Sequence, residues 1–134
     1  MGEGVTQLKE MGILDGYCYG PADLVKVWKS PHILWLLLTD SVGKRAEAVY
    51  EDCAYLPNKN GYAGMHLSFV QQMTASQILA KEASAPTKAM LKDSGLTEEN
   101  LRDLEEAGIK FFVHIGSHTE FLVAARKLNY RTLD

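Results

Sequence analysis

Two apolar runs stand out along the chain. Residues 33–38, Ile-Leu-Trp-Leu-Leu-Leu, are unbroken by any polar side chain. A run that short, with no alternation, predicts a central strand covered on both faces. The second run holds Phe111, Phe112, Val113 and Ile115, aromatic and β-branched residues suited to a pleated surface. Gly116 ends it. Ser117 and Glu120 then stand at the spacing of a capping box, in which each side chain satisfies a backbone N–H at a helix start. Phe121, Leu122, Ala124, Ala125 and Leu128 supply the apolar face of the helix predicted to follow. Arg126 and Lys127 sit in its last turn, where the helix dipole favours cations.

Between and before these runs the pattern is mostly helical. Val5, Leu8, Met11 and Ile13 predict a short helix. Residues 16–21, Gly-Tyr-Cys-Tyr-Gly-Pro, are a turn-rich connector whose glycines permit unusual backbone angles. Pro21 opens a second helix with Leu24, Val25 and Trp28 on its apolar side, stopped by Ser30-Pro31. Residues 43–55 fork. The favoured branch is a helix lined by Ala46, Val49 and Cys53, with Leu56 just beyond it; the alternative is a hairpin turn at 40–44 leading into an antiparallel strand over 45–56. Residues 57–61 form a loop. A long helix is expected over 63–83, with Met65, Phe69, Val70, Met73 and Ala80 on one side and His66 beside it. Pro86 opens another through Leu91, closed by Asp93-Ser94-Gly95. Thr97 caps the next, Leu96 and Leu101 staple it, and Gly108 closes it. Residues 130–133 add a short edge strand. The sum is an α/β fold: one compact domain, a small central sheet with at least two parallel strands, and five to six flanking helices.

Composition narrows the function classes. The chain has 134 residues and a net charge of −3, the size of one domain and the wrong balance for a general nucleic-acid binder. The longest apolar run is far too short to cross a bilayer, so no membrane partner is expected, and the N-terminus lacks the basic-then-apolar pattern of a signal peptide. Cys18 and Cys53 form no CxxC pair, which implies reduced thiols and a cytoplasmic setting. Neither GxGxxG nor the GxxxxGK[ST] loop occurs, nor HExxH, so no cofactor is assigned and no metal is expected.

Both predicted strands end in polar corners. If they lie parallel, their carboxyl ends share one sheet edge, where open α/β sheets bind ligands. That arrangement nominates Asp40, His114 and His118 as acid–base residues and Thr39, Ser41, Gly116 and Ser117 as ligand-binding residues. A helix N-terminus behind Gly116-Ser117 would suit an anion. The expected function is binding of a small polar or anionic metabolite at that edge, with acid–base chemistry as an extension. The alternatives are a sensor-like ligand-binding module without chemistry, or a protein-interaction subunit using Tyr17, Tyr19 and Tyr62; a homo-oligomer fits the latter. Glu98, Glu99, Asp103, Glu105 and Glu106 read as a solvated helix face rather than catalytic carboxylates.

Overall fold

A computed structural model describes residues 16–57, 64–116 and 120–133. Alternating burial along most strands organises it. Among these residues seven strands are present: β1 (Tyr17–Tyr19), β2 (Ala22–Lys29), β3 (Ile33–Thr39), β4 (Arg45–Tyr55), β5 (His66–Met73), β6 (Lys110–Gly116) and β7 (Glu120–Thr132). Three helices, α1 (Ala75–Ala80), α2 (Ala85–Ser94) and α3 (Glu98–Glu106), lie between β5 and β6. Every strand pairing is antiparallel. The sheet order is β1-β5-β2-β3-β4-β7-β6, and β5 also pairs with β6. That last pairing closes six strands, β2 to β7, into a barrel, which removes the open edges a flat sheet would present.

β1 and β2 behave as one bent strand along β5. Tyr19 faces Val70, Ala22 faces Leu67 and Asp23 faces His66 in a single antiparallel register. The cis Gly20–Pro21 bond lies between them. Gly20 has φ +118, and a Cβ there would stand 2.7 Å from the Cα of Phe69. Only glycine lets the two backbones pass that closely.

The barrel interior is filled by side chains. Leu34, Leu36 and Leu38 of β3, Ala46, Ala48 and Tyr50 of β4, and Phe121, Val123 and Ala125 of β7 alternate inward, the period-two pattern of a strand with one face in a core. A second apolar cluster lies outside the wall. There Phe111, Val113, Leu122 and Ala124 meet Ile78, Met90 and Leu101 of the helices. β6 and the first half of β7 are therefore buried on both faces. Opposite the helices the outer wall is open, and Val25, Trp28 and Ile33 are exposed.

This architecture overturns the expected α/β class. No parallel pair occurs among the described strands, and β3 and β6 run in opposite directions around the ring. The stretch predicted as a helix from Phe121 onward is β7. Residues 121–125 are all buried because barrel and helices cover both faces, and a strand in that position shows no alternation to distinguish it from a buried helix. Glu120 caps nothing: its carboxylate accepts from Thr87 Oγ1 at 2.9 Å and lies 3.4 Å from Lys81 Nζ, which fastens the helix layer to the wall. Arg126 donates to the Ala107 carbonyl at 2.7 Å.

Residues 43–55 take the hairpin branch. Asp40 Oδ1 accepts from the backbone N–H of Val42 and of Lys44 at 3.0 and 2.9 Å, an Asx-type turn, and β4 then pairs on both sides. The helix propensity of Ala46, Glu47 and Ala48 yields to that pairing. The helix expected after Pro21 is β2, and the one expected over 63–83 is split into β5 (His66–Met73) and the short helix α1 (Ala75–Ala80). α1 starts at Thr74, whose side chain and that of Gln77 form a capping box. The later helices are where the sequence puts them: Ser84 caps α2 and Gly95 ends it at φ +69, while Thr97 caps α3 with Asn100. β3 is a strand as expected, but its outward residues Trp35 and Leu37 are only half-buried. Residues 130–132 are the end of β7 rather than a strand of their own. The helix expected near Val5–Ile13 and the loop at 58–61 lie outside the described residues.

Candidate ligand cleft at the barrel mouth

The bent β1–β2 strand pairs with β3 only from Asp23 onward, opposite Thr39. Before that point it follows β5. A cleft of about 360 Å³ opens where the two diverge. Tyr17, Cys18, Gly20 and Pro21 form one wall; Leu38, Thr39, Asp40, Lys44 and Arg45 form the other. β7 completes it. Ala125 is the last residue of β7 paired to β6 on the register, opposite Lys110, and beyond it β7 continues along β4 alone. There Tyr130 stands opposite Ala48, a fully buried inward residue. Residues directly opposite in an antiparallel pair share a face, so Tyr130 points over the mouth. Its ring stacks on Tyr19 with centroids 4.8 Å apart and 7° between planes. Tyr19 is 2% exposed and Tyr130 44%.

Behind Tyr19 a polar chain runs into the apolar core. Tyr19 Oη lies 2.6 Å from Tyr50 Oη, which lies 2.6 Å from His114 Nε2. His114 Nδ1 lies 3.1 Å from the Phe112 carbonyl oxygen. The carbonyl can only accept, so the imidazole proton sits on Nδ1 and Nε2 is the acceptor. Tyr50 therefore donates to His114, and Tyr19 donates to Tyr50. The His114 ring also stacks on Phe121, centroids 4.2 Å apart.

Burial holds this chain neutral. Desolvation lowers the His114 pKa from 6.5 to about 3, against the opposing effect of its backbone contacts, and it raises Tyr19 and Tyr50 above the ordinary tyrosine value. The consequence for stability has a definite sign. Below pH 6.5 the unfolded chain takes a proton on His114 that the folded chain refuses until about pH 3, so stability falls with falling pH across that window. Urea melts should show a loss of roughly 2 kcal/mol between pH 6.5 and 5 from this residue. His114→Gln, which does not titrate, should flatten the slope; an unchanged slope would show that His114 is already charged in the fold.

The predicted site residues fall apart in space. Thr39 and Asp40 line the cleft, but Asp40 is committed to the hairpin turn. Ser41 is exposed in that turn and does not line the cleft. Both ring nitrogens of His114 are engaged, by Tyr50 and Phe112, so no Asp40–His114 pair forms; His114 reaches the cleft only through two tyrosines. Gly116 pairs with Leu67 at the carboxyl end of β6, which points opposite to that of β3. Ser117 and His118 lie outside the described residues, as does Tyr62. The residues that sequence reasoning left out of the site are Lys44, Arg45, Tyr50 and Tyr130, together with Tyr17 and Tyr19, which it named only as contacts of an interaction subunit. Tyr19, proposed as an exposed contact, is buried. A signal existed in the period-two series Leu128, Tyr130, Thr132.

Other polar groups are already occupied. Both cysteines are free thiols; burial raises Cys18, which lines the cleft, and pushes Cys53 up to about 11, so neither is an activated thiolate. Asp23 and His66 meet at 2.7 Å on the outer wall with more than half of each side chain exposed, a cross-strand pair of the ordinary kind. An open depression of about 430 Å³ near Pro31 carries one cation, Lys29, whose Nζ donates to the Pro57 carbonyl at 2.6 Å. Among the described residues no three His, Cys, Asp or Glu side chains converge as metal ligands, and no helix is long and apolar enough to cross a membrane. Comparison of the chain with protein-family models, curated proteins and solved structures found no match.

Proposed function

We propose that this protein is a binding module that holds a small organic molecule in the mouth cleft without transforming it. The observation that carries the reading is the cleft itself: a concave site of about 360 Å³ whose described lining includes three tyrosines, Tyr17, Tyr19 and Tyr130. Sites of this kind, mostly apolar with a few placed polar groups, are what small ligands use, and barrel mouths are a recurrent location. The chemistry of the lining favours binding over catalysis. Cys18 is held as a thiol, Asp40 is spent on its turn, and the fully buried His114 stands behind Tyr50.

A thermal-shift screen of a broad metabolite library against the wild type and Tyr130→Leu tests the reading. At least one compound should raise the melting temperature of the wild type, and the shift should shrink by more than half in the variant. Turnover of that compound, or equal shifts in both proteins, would contradict it.

A further inference from the structure

We infer that the outer wall formed by β2, β3 and β4 is the interface of a weak homodimer; the mouth cleft plays no part in it. Trp28 stands opposite Trp35 across the β2–β3 pair, and Trp35 opposite Val49 across β3–β4. Directly opposed residues share a face, and Trp35 alternates with the buried Leu34 and Leu36, so this row points outward. Leu37 and Ile33 extend it along β3. Trp28 is 54% exposed and Ile33 37%. Trp35 is fixed in place: its Nε1 donates to Glu47 Oε2 at 2.9 Å, and Glu47 is held in turn by Arg131. Exposed aromatics on a rigid surface are the anchors that protein interfaces use. β3 and β4 are paired along both edges, so a partner meets this wall face-on rather than by adding a strand.

The partner is a second copy because the face complements itself. Lys26 of β2 stands opposite Leu37, and Glu51 of β4 stands opposite Ile33. The two therefore flank Trp35 at the ends of one diagonal. Lys26 is exposed, and Glu51 accepts from the neutral amide of Asn129; among the described residues neither is in an ion pair. A two-fold axis over Trp35, at right angles to that diagonal, lays Lys26 of each copy on Glu51 of the other. It crosses the strands of the two copies steeply, as in orthogonal sheet packing, and seats Trp28 against Ile33 of the second copy. Each contact is made twice, as an isologous interface requires. Four strands about 4.8 Å apart make a patch about 20 Å across, roughly 400 Å² in plan for each copy. That is the small end of specific interfaces, so the association is weak.

Sedimentation velocity from about 5 µM to about 1 mM protein tests this. The wild-type mass should climb from one chain towards two across that range, with a dissociation constant of about 100 µM for a face this small. Trp28→Asp should weaken association by about tenfold or more. Lys26→Glu and Glu51→Lys should each weaken it by about fivefold, because a like-charged pair then forms twice. An equimolar mixture of those two variants should recover the wild-type affinity, since both contacts of a mixed pair join opposite charges. A substitution that acted only within its own chain would not be rescued by mixing. Far-UV circular dichroism confirms the fold of each variant. A wild type that keeps the mass of one chain at the highest concentration, a dimer indifferent to Trp28→Asp, or a mixture that associates no more tightly than its parts would overturn the assignment.

Discussion

Tyr50→Phe should destabilise the protein by about 2–6 kcal/mol, far beyond the loss of one hydroxyl. Tyr50 is the middle link of the buried chain, and its ring is fully enclosed. Removing its oxygen leaves His114 Nε2 without a donor and the Tyr19 hydroxyl without its acceptor. Each stranded group costs about 1–3 kcal/mol when water cannot reach it. Tyr19→Phe should cost less, because it takes away a donor to Tyr50 and leaves the Tyr50–His114 bond intact. The ordering of the two variants in urea denaturation is the test. A Tyr19→Phe effect equal to or larger than that of Tyr50→Phe would mean that the chain does not run in the order assigned to it.

Gly20→Ala should cost about 2–6 kcal/mol and abolish ligand binding together. The first part of that cost is the backbone: φ +118 is a region L side chains rarely adopt, worth about 1–3 kcal/mol. The second is steric. The new methyl would lie 2.7 Å from the Phe69 Cα and 3.0 Å from the Ser68 carbonyl oxygen, backbone atoms that cannot swing aside as a flexible side chain would, and overpacking adds about 1–3 kcal/mol. The only relief is for β1 to lift away from β5, which carries Tyr17 and Tyr19 with it and dismantles one wall of the cleft. Gly43→Ala is the matched comparison. It shares a positive φ but meets nothing within 4 Å, so it should show the smaller, backbone part alone. Equal melting temperatures for the two variants would argue that β1 is not pressed against β5.

The parts of this fold that could be read from the chain are those whose cause is local. Thr97, Gly95 and Pro86 mark α2 and α3 because caps and prolines act within one helical turn. β3 is recognisable because six consecutive apolar residues suit a buried strand, and β6 because Phe111, Phe112, Val113 and Ile115 are aromatic or β-branched. β7 misleads for a non-local reason. Its first half is buried on one side by the barrel and on the other by α1–α3, so Phe121 to Ala125 carry no polar beat, and the Ser117–Glu120 spacing imitates a cap. Glu120 is acidic for a different purpose, to take Thr87 and Lys81 from the helix layer. The β5–β6 pairing that closes the barrel joins strands separated by all three helices, and nothing near Val70 announces His114 as its partner. The site divides in the same way. Thr39 and Asp40 were visible as a polar corner after an apolar strand. Tyr130 reaches the cleft only because β7 outruns β6, a property of the assembled sheet.

Backbone amide chemical-shift mapping during titration with a library ligand tests the central claim most directly. The account predicts shifts confined to residues 17–22, 38–46 and 130–132, three segments distant in sequence that meet only at the mouth of this barrel. Shifts centred on Trp28 and Trp35 of the open outer wall, or on Asp23 and His66, with the mouth unperturbed, would contradict it.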